Sequence, residues 1–131
     1  MKTEAEKPWD IRGRSFAYAF RAIKLYQVLQ ARKDGAGWII GKQYLRAATS
    51  IGANIEEAQS GESRADFIHK YGIAQEEAKE SLYWLRLLGS SGIVPEDQLA
   101  PVRKETNELI AVITAIIVKA KQKSNAARVA P

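Results

Sequence analysis

The chain has 131 residues, carries 20 Lys and Arg against 15 Asp and Glu for a formal net charge of +5, and contains no cysteine. Without cysteine it cannot form disulfides, thiolate metal sites or a cysteine nucleophile, and this composition is typical of a reducing compartment. The length suits one domain spanning residues 1–131, and the positive surplus favours polyanionic partners through long-range attraction.

The N-terminus is charged over residues 1–10 and lacks the apolar stretch of a secretion signal. No apolar run approaches the roughly 20 residues that span a bilayer. The longest such run, residues 110–118, is interrupted by Thr114. We therefore expect a cytoplasmic protein with no membrane partner.

Four segments show helical spacing of apolar residues, and no segment has the alternation that is typical of a strand. They predict helices over residues 14–32, 38–59, 64–89 and 95–122, with flexible tails at 1–10 and 124–131. Because short loops join antiparallel neighbours, the predicted fold class is all-α, an antiparallel up-down-up-down four-helix bundle.

The first segment carries two apolar stripes. The main stripe is Phe16, Ala19, Phe20, Ile23, Tyr26 and Gln30, and the second is Tyr18, Ala22, Leu25 and Leu29. One stripe is enough for the surface helix of a monomer. The second stripe therefore predicts burial on two sides, as in an oligomer.

The second segment contains small residues that let a neighbouring backbone come close: Ala47, Ala48, Gly52 and Ala53. Ser63 is the predicted N-cap of the third helix. Apolar residues of that helix also fall off its main face. Together with the first helix they give six candidates for an oligomer interface: Tyr18, Leu25, Leu29, Tyr83, Trp84 and Leu87.

In the fourth segment Pro95 is well placed at the first helical position. Lys119, Lys121 and Lys123 cluster in its last predicted turns, where cations complement the helix dipole. Their preferred interpretation is capping and solubility rather than ligand binding.

Residues for catalysis or metal binding are sparse. His69 is the only histidine, and no Glu-x-x-His pattern of a di-metal bundle occurs. Glu76, Glu77 and Glu80 lie off the apolar stripe of the third helix, which favours solvated faces and ion pairs between helices. We expect no catalytic residues, no metal and no cofactor, and hence no enzyme.

Basic side chains are the remaining candidates for function. Arginine contacts phosphate in a forked, bidentate way, so a basic surface can follow a nucleic acid backbone. The alternative interpretation is that these side chains pair with the acids. The candidates for nucleic acid binding are Arg14, Arg21, Arg32, Lys42, Arg46, Arg64, Lys70 and Arg86.

Residues 42–58, KQYLRAATSIGANIEEA, resemble the signature of bacterial four-helix-bundle proteins related to the 23S rRNA intervening-sequence protein. Residues 14–19, 66–70, 73–74, 77–80 and 83–88 also match, so the resemblance covers about residues 11–120 in order. It implies an up-down bundle that assembles as a homopentamer. It also implies distant similarity to the accessory protein of diversity-generating retroelements, which binds a reverse transcriptase and nucleic acid.

The motif also has a structural interpretation, which we prefer to ligand binding. Ser50 can bond a backbone carbonyl one turn back, and a partly buried Asn54 needs partners, as across the contact between the second and third helices. Arg46, Glu57 and Glu80 are predicted to form a charge network between helices or subunits.

Two hypotheses follow for the function. The first is a non-enzymatic homo-oligomer, a pentamer by the resemblance, that binds RNA, DNA or a nucleic-acid-processing protein such as a reverse transcriptase. The second is a protein-interaction or assembly scaffold with no role in nucleic acid binding.

Overall fold

The computed structural model of the chain describes residues 10–129, which form four α-helices. The helices are α1 Ile11–Ala31, α2 Gly35–Gln59, α3 Arg64–Ser90 and α4 Glu96–Val129. Within this part of the chain there is no strand, and the predicted all-α four-helix bundle is confirmed. Each helix packs against the next, α1 also contacts α4, and diagonal pairs make no close backbone approach. The four helices therefore occupy the corners of a four-sided bundle.

Side-chain caps define where three of the helices begin. In each, a side-chain oxygen accepts a hydrogen bond at 3.1 Å from the backbone N–H three residues later: Asp10 from Gly13, Asp34 from Gly37, and Ser63 from Asp66. Such a bond satisfies one of the free N–H groups of a first helical turn. The predicted Ser63 cap is confirmed. The two aspartate caps start α1 and α2 three residues earlier than predicted.

The last helix is longer than predicted. It begins at Glu96, one residue after Pro95, and continues through residues 124–129, which were expected to be a flexible tail. This stretch contains no glycine or proline and includes two alanines, so nothing in it opposes a helix. The parts of the predicted tails at residues 1–9 and 130–131 lie outside the described residues.

The stripe of α1 that is buried in the core is the second predicted stripe and not the main one. Phe16 is 75% exposed and Phe20 56% exposed, although both belong to the predicted main stripe. The core instead holds Tyr18, Ala22 and Leu29 of the second stripe. Two predicted interface residues are thereby corrected: Tyr18 is 0% and Leu29 1% exposed, so the subunit's own core encloses them and a second subunit cannot reach them. Leu25 is partly buried against the same core.

Small residues bring α1 and α2 together, as predicted. A Cβ atom added at Gly52 would lie 3.4 Å from Oγ of Ser15 and 3.5 Å from its backbone carbonyl. The backbone of α1 therefore lies directly against Gly52. Ser15 is itself buried, and its hydroxyl donates to the carbonyl of Arg12 at 3.1 Å.

Candidate nucleic-acid interface

Three of the eight basic candidates are committed to ion pairs between helices. Arg14 lies across α1 and α4, where its Nη2 is 2.9 Å from Glu105 and 2.8 Å from Glu108, and its side chain is only 11% exposed. Lys70 on α3 lies 3.0 Å from Glu57 on α2. These cations already have counter-charges, so a phosphate would have to compete for them.

Arg46 is the third paired candidate and holds two carboxylates of α3. It lies 3.2 Å from Glu77 and forms a short hydrogen bond with Glu80. Burial raises the pKa of Glu77, and the charge of Arg46 opposes that increase. The predicted network is therefore only partly correct. Arg46 does pair with Glu80, but Glu57 lies in the separate pair with Lys70.

The family-motif residues act within the bundle. Asn54 donates from Nδ2 to the carbonyl of Ser50 at 2.8 Å, so its partner lies in α2 itself and not across the contact with α3. The bond to a carbonyl one turn back is made by Thr49, which donates to Leu45 at 2.8 Å, and not by Ser50. These contacts stabilise α2 from within the helix.

Two further candidates have neutral partners. The ammonium of Lys42 lies 4.6 Å from the centre of the Trp38 ring, in a cation–π contact. Arg32 donates from Nη1 to the carbonyl of Ile93 at 3.1 Å, which ties the end of α1 to the turn before α4. Neither forms an ion pair with a carboxylate of residues 10–129.

Arg21, Arg64 and Arg86 are exposed and form no ion pair with any residue in the range 10–129. The structure adds a group that sequence reasoning assigned to capping: Lys119, Lys121 and Lys123 are also exposed and unpaired within the described chain. Because α4 continues to Val129, even Lys123 lies six residues before its last described residue. The favourable effect of a helix dipole is confined to the last turn. The capping interpretation of these lysines is therefore wrong.

Two of these lysines line a cleft at one end of the bundle. We call it the end cleft; it lies between the α2–α3 turn and α4 and has a volume of about 620 Å3. Its lining comprises Ala58, Gln59, Gly61, Glu62, Ser63, Arg64, Phe67, Ile116, Lys119, Ala120 and Lys123. Lys121 points to the other side of α4, where it lines a smaller cleft together with His69. Positive charge thus collects where α3 begins and where α4 approaches its end.

The second surface of interest is apolar. Phe16, Phe20 and Ile23 follow one another on α1 at helical spacing, and all three are exposed. On α3, Tyr83 is exposed and lies edge-on to Trp84, with ring centres 5.1 Å apart. Among the predicted interface residues of α3, Tyr83 is accessible, whereas Trp84 and Leu87 are half-buried. The exposed row on α1 belongs to the predicted main stripe of that helix.

Across residues 10–129, no three side chains of His, Cys, Asp or Glu come close enough to hold a metal ion. His69 is exposed on α3. None of the four helices, in the part described, is long and apolar enough to cross a membrane.

Comparisons with known proteins agree with this fold. A crystal structure from Bacteroides thetaiotaomicron VPI-5482, described as a protein with unknown function from the S23 ribosomal protein family, is 37% identical with a TM-score of 0.77. The match covers 82% of this chain and 97% of that one. No significant match is found among curated proteins. A family model described as 23S rRNA-intervening sequence protein matches residues 10–115. The chain therefore belongs to the 23S rRNA-intervening sequence protein family.

Proposed function

We propose that the chain is a non-enzymatic, homo-oligomeric module that binds RNA or DNA, or a nucleic-acid-processing partner, through cations that the fold leaves unpaired. The observation that carries this proposal is the division of the basic residues into two classes. Arg14, Arg46 and Lys70 are neutralised by carboxylates of neighbouring helices. The surplus of five positive charges is therefore carried by other side chains.

The unpaired cations proposed to contact phosphate are Arg21, Arg64 and Arg86 with Lys119, Lys121 and Lys123 of α4. A phosphate that contacts them displaces only water and counter-ions, because no internal ion pair has to break. Release of counter-ions from nucleic acid then supplies most of the binding free energy. The family's own description names a ribosomal RNA, which supports RNA as the first polyanion to test.

Self-association is supported by the exposed row Phe16, Phe20 and Ile23. Contiguous exposed apolar residues mark interaction surfaces in soluble proteins. An oligomer, a pentamer by the family resemblance, repeats each unpaired cation in every copy. Several weak phosphate contacts then act at once, and avidity compensates for the absence of a sequence-specific motif.

The proposal is tested by retention of labelled RNA and DNA on filters while the salt concentration is varied. We expect binding at about 50 mM salt and a steep loss as salt rises, because the contacts are electrostatic. No retention of either nucleic acid at low salt would overturn the proposal.

A second candidate function, an assembly scaffold for another protein, is favoured by the same exposed phenylalanines. It predicts capture of one specific protein through the α1 surface and no salt-sensitive retention of nucleic acid. Substitutions at Phe16 would then abolish the interaction, whereas substitutions at Lys119 would not.

A further inference from the structure

We propose that the end cleft is the place where each subunit holds single-stranded nucleic acid, with a base on its apolar floor and phosphates on its cationic rim. This inference rests on the proposed function and specifies its site. The cleft combines two features that such binding requires, a positive groove and an accessible aromatic surface. Two smaller clefts also have an aromatic ring, Trp38 or Phe16, but in each the single cation of the lining is matched by a carboxylate.

The rim is formed by Arg64 on one side and by Lys119 and Lys123 on the other. Lys119 and Lys123 are one helical turn apart on α4 and therefore share a face. Arg64 is the first residue of α3, so the guanidinium and the two ammonium groups border the opening from different helices. Glu62 is the one carboxylate among the lining residues. The cleft thus keeps a surplus of two positive charges for a ligand.

These three cations are available because the bundle does not use them. Within residues 10–129 none of them forms an ion pair, a hydrogen bond or a cation–π contact. Their distance from the end of α4 also removes helix capping as a reason for the two lysines. A phosphate bound there would not compete with internal partners of these side chains.

The floor is apolar and includes an aromatic ring. Ala58, Ile116 and Ala120 line the cleft together with Phe67, which is half-buried. The ring of Phe67 stacks on that of Tyr71 with centres 4.4 Å apart and an interplanar angle of 30°, so the buried tyrosine holds it in place. The volume of about 620 Å3 is within the range of sites that enclose small organic groups, and is ample for one nucleoside.

Single strands fit this arrangement better than duplexes. In a duplex the bases are stacked on one another and paired, so their faces cannot reach an apolar floor. In a single strand an unstacked base can pack against Phe67 while its flanking phosphates contact the rim. Lys121 lies on the adjacent face of α4 and extends the positive surface beyond the cleft.

The test compares two triple variants of the full chain with equal loss of charge. The cleft variant carries Arg64→Ala, Lys119→Ala and Lys123→Ala. The matched control carries Lys33→Ala, Lys79→Ala and Lys104→Ala, which removes three exposed lysines that are outside the proposed phosphate contacts and unpaired within the described chain. All six side chains are exposed, so both variants are expected to keep the wild-type circular dichroism spectrum and melting temperature.

The probes are a labelled oligothymidylate of about 20 nucleotides, an abasic strand of the same length, and a duplex of that length. We expect the cleft variant to bind oligothymidylate at least about tenfold more weakly at low salt. Its log–log salt slope should be shallower by about 2, since three phosphate contacts at about 0.7 each are lost. The control should keep the wild-type slope. The abasic strand and the duplex should each bind the wild type about fivefold more weakly than oligothymidylate.

The outcomes separate this inference from the proposed function. If the wild type binds no strand at low salt, the proposed function itself fails. If the wild type binds and both triple variants lose the same affinity and slope, net charge alone is responsible and the end cleft is not the site. Equal binding of abasic strand and oligothymidylate would likewise overturn the role of the apolar floor.

Discussion

The hydroxyl of Tyr18 lies 2.6 Å from Oγ1 of Thr106 and joins α1 to α4 inside the core. Thr106 already donates its proton to the carbonyl of Val102 at 2.7 Å, so Tyr18 is the donor in the bond between the two hydroxyls. Both residues are 0% exposed.

Thr106→Val keeps the volume but leaves the Tyr18 hydroxyl without its acceptor. We expect a loss of about 1–3 kcal/mol in the free energy of unfolding, measured by urea denaturation.

The neighbouring Tyr44 provides the opposite expectation. Its ring lies edge-on to that of Tyr18, 6.3 Å between centres, and burial raises its pKa strongly. The two tyrosines are close enough to influence each other's pKa, yet the Tyr44 hydroxyl has no hydrogen-bond partner among residues 10–129. Tyr44→Phe removes a buried polar group that has no partner. The variant should therefore be as stable as the wild type or up to about 1 kcal/mol more stable. A loss above that size would show that the hydroxyl has a partner in solution.

Two helix glycines should respond in opposite ways to alanine. A Cβ added at Gly72 meets no atom within 4 Å, so Gly72→Ala should stabilise α3 by about 0.5–1 kcal/mol through a lower backbone entropy cost. A Cβ at Gly41 would lie 2.9 Å from Cδ1 of Leu29, which the core encloses. Gly41→Ala should therefore destabilise the bundle by about 1 kcal/mol through overpacking. Thermal melts of the two variants, compared with the wild type, check both signs.

The helices and their antiparallel order could be predicted because apolar spacing, turn residues and the Ser63 cap are local signals. The buried face of α1 could not. Its two stripes have the same spacing, and the face with Phe16 and Phe20 is the more apolar one. Burial of Tyr18 depends on an acceptor at Thr106, 88 residues away along the chain, and on the close approach of Gly52. Such fit between helices is not encoded in the periodicity of one segment.

For the candidate site, only the types of residue that take part could be predicted from the sequence. Which arginine is free depends on partners from other helices, as for Arg14 and Glu105, which are 91 residues apart in sequence. The role of Lys119 and Lys123 depended on where α4 ends, and no glycine or proline between Lys123 and residue 129 marks a position for that end. The approach of Arg64 to those lysines is a property of the folded bundle alone.

The Arg46 network predicts a pH-dependent stability. In the folded chain burial raises the pKa of Glu77 from its ordinary value of 4.5, and Arg46 opposes this. Arg46→Ala should therefore raise that pKa further. A carboxyl with a raised folded-state pKa stabilises the fold below its unfolded-state pKa and loses this contribution as pH rises through the folded-state pKa. The variant should match the wild type near pH 3 and be less stable by about 0.5–1 kcal/mol at pH 7.

Urea denaturation across this pH range provides the measurement, and the double variant Arg46→Ala with Glu77→Gln is the control. Glutamine at position 77 is uncharged, so the loss of Arg46 no longer leaves a carboxylate there without its counter-charge. Most of the pH dependence should therefore disappear. A constant difference between Arg46→Ala and the wild type at all pH values would contradict the electrostatic explanation.

The exposed row on α1 makes the assembly state testable. Phe20→Glu places a charge on a residue that is 56% exposed in the single subunit, so the bundle itself should still fold. In an oligomer held together through this row, the charge would be buried without a partner, which costs several kcal/mol per interface. Light scattering at micromolar concentration should therefore show an oligomer for the wild type and a monomer for the variant. Val28→Glu is the matched control and should remain oligomeric, because Val28 is 47% exposed and lies roughly 110° around the same helix from the row. A monomeric wild type would remove both the assembly and the avidity on which weak phosphate binding depends.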